Sequence, residues 1–435
     1  MRWLAAALAL LLLVVFLRLR LLVYAFYVLT ALFLVSRWLS RRWGANVSAT
    51  RECNREVAEI GDSVAVVVKL TNVGRLPIPW VLAEDLLPRG PLIQRPPRLK
   101  VSGRRIGVAM LAAGGQKTMY YQLHFEMRGY YQLGPTVLET GDLFGLHRRF
   151  TVHARPSYVL VYPRVVPLLG YDIASKRPIG EVRFSYRLFE DPTRISGVRQ
   201  YQDGDPMSRI HWRATARTGK LHCKTYEPST IAGACMLLSF HRDGYLPGNE
   251  PVASELAITT AASLANALFE LGQQIGLVTN GRDAADRVRE EGWEHDYRTR
   301  SAAQESAAMA QKNDRLRPVI VETGRGPEQL TRILETLARL EFTDGLAMHE
   351  LIMESRSRLP RDATVLAILS HVDAHTAAAL GGLARNGYAV AAVLVTLDEN
   401  LHFDSASRLL AEGIVPRRVR SEEELAQLCS TGLVR

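Results

Sequence analysis

"YQDGDPMSRIHWRATARTGKLHCKTYEP" spans Tyr201–Pro228 and crowds turn, helix and strand signals together with acids, bases and a tryptophan. Asp203-Gly204 reads as a turn, and Asp205 as a helix N-cap with Pro206 at the first helical position. The spacing of Arg209, Arg213 and Arg217 predicts one guanidinium-bearing helical face, and Gly219 ends the helix. In the strand that follows, Leu221, Cys223 and Thr225 face one way, and Lys220, His222, Lys224 and Tyr226 the other. Two readings stand side by side. The arginines, with His211, Lys220 and Lys224 beside them, can present donors to an anion or to a partner's carboxylates. Alternatively, the same cations bridge inward to Asp203, Asp205, Glu190, Asp191 and Glu227, with Trp212 as a packing anchor, and the stretch is an interdomain clasp. So many acids close by in sequence favour the clasp.

Working outward, the two sides differ in kind. Residues 50–165 hold short runs such as "SVAVVVKL", "TMYYQLHF", "GPTVLET", "RRFTVHA" and "SYVLVYP", separated by Gly and Pro. In "TMYYQLHF", Met119, Tyr121, Leu123 and Phe125 alternate with polar positions, so one face is predicted to be buried. Several short strands without a helical pattern predict a β-sandwich domain, with "GDLFG" (Gly141–Gly145) a tight turn inside it. Residues 231–435 alternate apolar strands ("ACMLLSF", "QIGLVTNG", "RPVIVET", "ATVLAILS", "YAVAAVLV") with helical segments. That pattern predicts a doubly wound α/β domain on a mostly parallel sheet, with 282–317 a polar, mobile insertion and 166–230 the joining segment.

The first 45 residues are of another kind. Between Trp3 and Val35 the only charges are Arg18 and Arg20, which separate two apolar blocks, Trp3–Leu17 and Leu21–Val35. Each block of fifteen residues is shorter than a hydrocarbon core of roughly 30 Å at ~1.5 Å per residue. The segment is read as a transmembrane hairpin, or as one crossing block with the other at the interface. Arg37, Arg41, Arg42 and Arg51 follow the second block, which places the soluble domains in the cytoplasm, at the inner (plasma) membrane. The four cysteines, Cys53, Cys223, Cys235 and Cys429, are scattered and suit a reducing compartment. The net charge of +10 is uneven: residues 1–51 hold seven Arg and no acid, whereas 231–435 hold 21 bases against 28 acids. With the basic excess beside an apolar segment and no nucleic-acid motif in sight, the partner expected of that charge is lipid, not nucleic acid.

"RQYQDGDPMSRIHWRATARTGKLHCKTYE" and "MRGYYQLGPTVLETGDLFGLHRR", in this order of parts, resemble the domain of unknown function 58 family of bacteria. The resemblance implies a von Willebrand factor A-like C-terminal domain and a partnership with a MoxR-type AAA+ ATPase, and it implies no activity. Domains of the von Willebrand type often bind Mg²⁺ through DxSxS after the first strand. Here Ser239, Phe240, His241, Arg242 and Asp243 stand there, and their chemistry does not suit a hard cation. In "SHVDAHT", Asp373 reads as a helix cap with His371 and His375 exposed, in preference to a metal site. "TGRGPEQL" lacks the ending of a phosphate loop and reads as a strand-to-helix turn; Asp398 and Glu399 read as surface loop. The expectation is therefore a membrane-anchored, non-enzymatic interaction protein with no catalytic residue, metal or cofactor. The alternative is an anion-binding module or enzyme built on the Arg-rich segment.

Overall fold

The computed structural model describes residues 20–87, 91–92, 95–169, 171–172, 177–178, 189–201, 210–229, 233–285, 316–360 and 363–428. Expectations that fall on Trp3–Leu17, on Asp203, Asp205 and Arg209, and on most of 282–317 lie outside these residues. Two compact units divide at Pro163 and Arg164.

The first unit opens with helix α1 (Arg20–Asn46), 27 residues long. Helical structure does not stop at Val35, where the apolar block ends, but continues through the arginines. Within it, Val23–Asn46 is apolar and long enough to cross a membrane, with 11% of its most apolar stretch buried. Past Val35 the helix continues among the arginines with Trp38, Leu39 and Trp43, of which Leu39 and Trp43 pack against the core of the strand-rich unit.

Strand β1 (Val47–Cys53) leaves the helix directly. The strand-rich part then comprises β2 (Val57–Glu59), β3 (Ser63–Asn72), β4 (Ile78–Asp85), β5 (Leu99–Gly103), β6 (Ile106–Leu111), β7 (Gln116–Phe125), β8 (Gly129–Leu133), β9 (Thr136–Gly141), β10 (Arg148–Val152) and β11 (Ser157–Tyr162). There are two four-stranded antiparallel sheets, ordered β1-β3-β7-β5 and β10-β9-β4-β6, and a three-stranded sheet, β2-β11-β8. The expected alternation holds: Met119, Tyr121, Leu123 and Phe125 are buried while Tyr120 is exposed, and Val68, Val66 and Val64 are buried opposite Met119, Tyr121 and Leu123. These side chains share one core with Ile78, Val81 and Leu138 of the second sheet.

The second unit begins at Arg164. Arg164 pairs with Glu422 at 2.7 Å, the Val166 N–H donates to Ser263 Oγ, and the Leu169 N–H donates to the Ala426 carbonyl. After β12 (Phe189–Gln200), α2 (Trp212–Thr218) and β13 (His222–Ser229) comes a six-stranded sheet. Its strands are β14 (Gly233–Leu238), β15 (Gln274–Thr279), β16 (Val319–Gly324), β17 (Ala363–Leu369), β18 (Ala389–Val395) and β19 (Pro416–Val419). Their spatial order is β16-β15-β14-β17-β18-β19, and every pairing is parallel except that of β16. Both faces are covered. Ala234, Met236 and Leu238 of β14 enter one core with α3 (Val252–Glu270) and α4 (Pro327–Arg339). Cys235 and Leu237 enter the other with α5 (Met348–Ser355), α6 (Ala374–Arg385) and α7 (Glu399–Ala411). A continuous apolar strand is what a doubly covered sheet requires. The helix α3 is apolar enough to pass as a membrane span, but 78% of it is buried, so it is a core helix.

Two corrections belong here. Asp398 and Glu399 are not loop: Asp398 accepts from the Leu401 N–H at 2.9 Å as N-cap of α7, and Glu399 begins that helix. The expected insertion does not begin loose. Arg282 and Asp283 pair with Glu341 and Leu340, and Arg339 Nε donates to Asp283. Charged residues read as linker in the sequence, yet Asp283 is buried here.

Candidate functional site

The Arg-rich segment is a two-stranded ladder with a short helix across its open end. β12 and β13 pair antiparallel, with Val198, Arg199 and Gln200 opposite Lys224, Cys223 and His222. Ile210 bridges to Cys223, and both are buried. The helix that carries Arg213 and Arg217 spans Trp212–Thr218, and the expected start at Asp205 and Pro206 lies outside the described residues. His211 is the N-cap of this helix: its Nδ1 accepts from the Ala214 N–H at 3.0 Å. Gly219 closes the helix with φ of 70°, a left-handed conformation that glycine adopts without strain. Thr215 Oγ1 accepts from the His222 N–H at 3.1 Å, and the His211 N–H donates to the His222 carbonyl. The two histidines therefore lock helix to strand.

What this frame displays differs from the expected packing anchor. Trp212 is 67% exposed, and α2 has no buried residue. Ile210 and Cys223 do the packing instead, because a helix of two turns laid across a ladder has too little inner face for an indole. Arg213, Arg217 and Lys220 are exposed, while Lys224 is half-buried. Tyr226 and Glu227 lie on β13, and their side chains are outside the described residues. No ion pair joins Arg213 or Arg217 to another described residue.

The carboxyl-end edge of the six-stranded sheet is the second place where chemistry is expected. At the end of β14, Phe240 is buried against Phe342 (ring centroids 4.6 Å) and Tyr245 (5.8 Å). Its N–H donates to Asn280 Oδ1, and the Tyr245 hydroxyl donates to the Ser239 carbonyl. Three aromatic rings thus pack together at the end of β14. Burial pushes the Cys235 thiol in β14 up to about 12, so it is no nucleophile at neutral pH. Beside it, after β17, Asp373 caps α6, accepting from the Thr376 N–H at 2.8 Å. Burial alone would raise the Asp373 pKa, but the Thr376 hydroxyl and N–H outweigh it and hold the carboxyl below its ordinary value. His371 is lowered by burial and then by the charge of Arg408. Among the described residues no three metal-ligating side chains converge.

The cap makes a pH-dependent contribution. Asp373→Ala is expected to cost about 1 kcal/mol at neutral pH. Because the folded pKa is depressed, that contribution is present above the unfolded pKa of about 3.9 and is lost as pH falls through the folded value. The melting curves of wild type and variant should therefore separate at pH ~7 and converge as the pH falls below the folded value. A gap that persists in acid would mean the carboxylate charge is not what matters.

A third cluster had no sequence signal. In the strand-rich unit, Asp85 is fully buried and accepts from Arg51 Nη1 at 2.9 Å, Thr136 Oγ1 at 2.8 Å and the Tyr121 hydroxyl at 2.6 Å. The other guanidinium nitrogen of Arg51 donates to the Arg155 carbonyl. At Gly134, φ is 81° and a Cβ would run into the Arg51 guanidinium, so the pair needs glycine there. Burial, and then the Asp85 charge, push the Tyr121 phenol far above its ordinary value, so it stays an O–H donor.

The chain is thus an apolar N-terminal helix, a strand-rich unit and an α/β unit, with one exposed, rigidly mounted cationic-aromatic helix. Residues 197–313 match the model of a family described as "Protein of unknown function DUF58". The "Uncharacterized protein YeaD" of Bacillus subtilis (strain 168) is 24% identical over 249 residues, which is 57% of this chain and 59% of that relative. The match thus leaves out about two fifths of the relative's length. Among solved structures, the PapD-like domain 7 of human CEP192 is 15% identical, covering 26% of this chain and 84% of that one, with a TM-score of 0.18. The CARDB domain of PF1109 from Pyrococcus furiosus is 12% identical, covering 26% and 86%, also at 0.18. Scores that low carry no argument about this chain.

Proposed function

We propose that this chain is a non-enzymatic interaction protein held at the inner (plasma) membrane by its N-terminal helix, with both soluble units in the cytoplasm. Arg37, Arg41 and Arg42 at the end of the span support that orientation. The strand-rich unit serves as a β-sandwich platform and the α/β unit as a von Willebrand factor A-like module without its cation. The strand order, with a single antiparallel edge strand in β16, supports the second assignment. The partner is a AAA+ ATPase of MoxR type, and the pair assembles or remodels protein complexes.

One observation carries the partner reading: Trp212, Arg213 and Arg217 are exposed on a helix pinned at both ends. Side chains of these two types dominate binding energy at protein interfaces. Arg213 and Arg217 are exposed and carry no ion pair among the described residues, so Arg213→Ala with Arg217→Ala is expected to leave stability within about 0.5 kcal/mol. The same double variant should lose binding to a purified MoxR-type ATPase by tenfold or more, at about 1.4 kcal/mol per decade. The test is a titration of detergent-solubilised full chain against that ATPase. Wild type that does not bind overturns the partner, and a variant that binds equally well overturns the site.

A further inference from the structure

The turn Gly141–Gly145 carries a feature that neither the fold nor the partner surface uses. Leu143, Phe144 and Leu146 at its tip are 71%, 65% and 52% exposed. Three large apolar side chains on one loop are an unusual thing to offer to water. The loop is also prepared for an apolar medium. The Asp142 carboxylate accepts from the N–H groups of Phe144, Leu146 and His147, and the Gly145 N–H donates to the Asp142 carbonyl. The Asp142 N–H returns to the His147 carbonyl, and Trp80 Nε1 donates to the Asp142 carbonyl at 3.3 Å. Backbone groups satisfied in this way are what a loop needs if it is to leave water.

Its position says which medium. The β9–β10 hairpin packs along α1, and its tip lies beside Ala31, Leu32 and Val35 in the apolar stretch of that helix. Phe33, on the helix, meets the His147 ring edge to face at 4.6 Å. Between helix and tip runs an apolar groove of about 290 Å³, bounded by Ala31, Leu32, Val35, Leu39, Leu143 and Phe144. Past Val35 the helix turns basic and aromatic: Arg37, Trp38, Arg41 and Arg42, with the Arg42 guanidinium 5.5 Å from the Trp38 ring centre. That is the composition of a headgroup layer over anionic lipid. Residues 31–33 lie four to seven positions before Arg37 and Trp38, hence about 6–10 Å deeper at ~1.5 Å per residue. The tip reaches the same level, which is the depth of about 5–10 Å at which interfacial elements bury their apolar face.

We infer that the Leu143–Leu146 tip enters the bilayer beside α1, fixing the strand-rich unit at the surface at a second point, with lipid acyl chains in the groove between tip and helix. This rests on the reading of α1 as a membrane anchor, and the test separates the two. The photocrosslinker p-benzoylphenylalanine is placed singly at Phe144, at Val28 of the helix, or at Val73, in the full chain with its cysteines untouched. Val28 and Val73 are 64% and 68% exposed, and the Val73 N–H bonds the Asn46 carbonyl at the far end of α1. Each protein is reconstituted in vesicles of phosphatidylcholine and phosphatidylglycerol, irradiated, and examined for lipid adducts by mass spectrometry. Adducts at 28 and 144 and none at 73 are expected. An adduct at 28 without one at 144 overturns tip insertion and leaves the anchor standing. No adduct at either position overturns the anchor and the tip together. Equal labelling at 73 and 144 also overturns tip insertion, because exposure alone would then explain it. A second crosslinker position, Leu146, guards against a local disturbance at 144 and is expected to label as 144 does.

Discussion

Asp85→Ala is expected to destabilise the chain by about 3–5 kcal/mol, the cost of leaving a buried charge without its partner. Arg51 and Asp85 side chains are 3% and 0% exposed, so neither can turn to water when the other is lost. The carboxylate also binds strands from both four-stranded sheets. Arg51 stands on β1 and Tyr121 on β7 of one sheet; Asp85 itself stands on β4 and Thr136 on β9 of the other. Tyr121→Phe or Thr136→Val, each removing one neutral donor, should cost only about 1 kcal/mol. Arg51→Met together with Asp85→Leu should cost less than Asp85→Ala alone, since no orphaned charge remains. Thermal melts of the solubilised full chain give the ranking. Against a total stability of about 5–15 kcal/mol, the Asp85→Ala shift would be plain, and a variant melting like wild type would mean the network does not tie the sheets.

That network shows what kind of information the sequence lacks. Alternation is local, so "TMYYQLHF" reveals its buried face from eight letters, and the run of strands and helices after Gly233 reveals an α/β unit. Cap residues are local too: Asp373 and the Pro327 that opens α4 sit where reading predicts. Arg51 and Asp85 are 34 positions apart, and nothing near either one announces that register will bury them together. In the Arg-rich segment the signals at Asp205 and Pro206 fall outside the described residues, and what is described is a short helix from Trp212, capped by His211 next to the Ile210–Cys223 bridge, with Trp212 itself exposed. The helix α5 carries a weak local signal, because "MHELIMES" is short and its apolar spacing brief.

Phe240→Ala is the other substitution expected to cost about 3–5 kcal/mol, the range for truncating a buried phenylalanine. Phe240 is 2% exposed, stacks on Phe342, and meets Tyr245 edge to face, so alanine leaves a cavity bounded by two rings that β14 and its following turn hold in place. The substitution also asks whether the aromatic cluster merely hides a cation site. If oxygen ligands lay behind it, opening the cavity would let Mg²⁺ bind, and millimolar Mg²⁺ would raise the melting temperature of the variant by linkage. The side chains at this edge argue the other way. His241 Nδ1 accepts from the Asp243 N–H, Asn280 Oδ1 is taken by the Phe240 N–H, and Ser370 Oγ donates to the Gly244 carbonyl at 2.6 Å. Oxygens engaged in holding the turn are not free to coordinate, and Arg242 beside them adds a repelling charge. Wild type and Phe240→Ala should therefore melt at temperatures several degrees apart, and neither should move when Mg²⁺ or Mn²⁺ is added. A metal-dependent rise in the variant alone would show a cation site behind the aromatic cluster, and the α/β unit would then have to be read as a metal-binding module held closed by three rings.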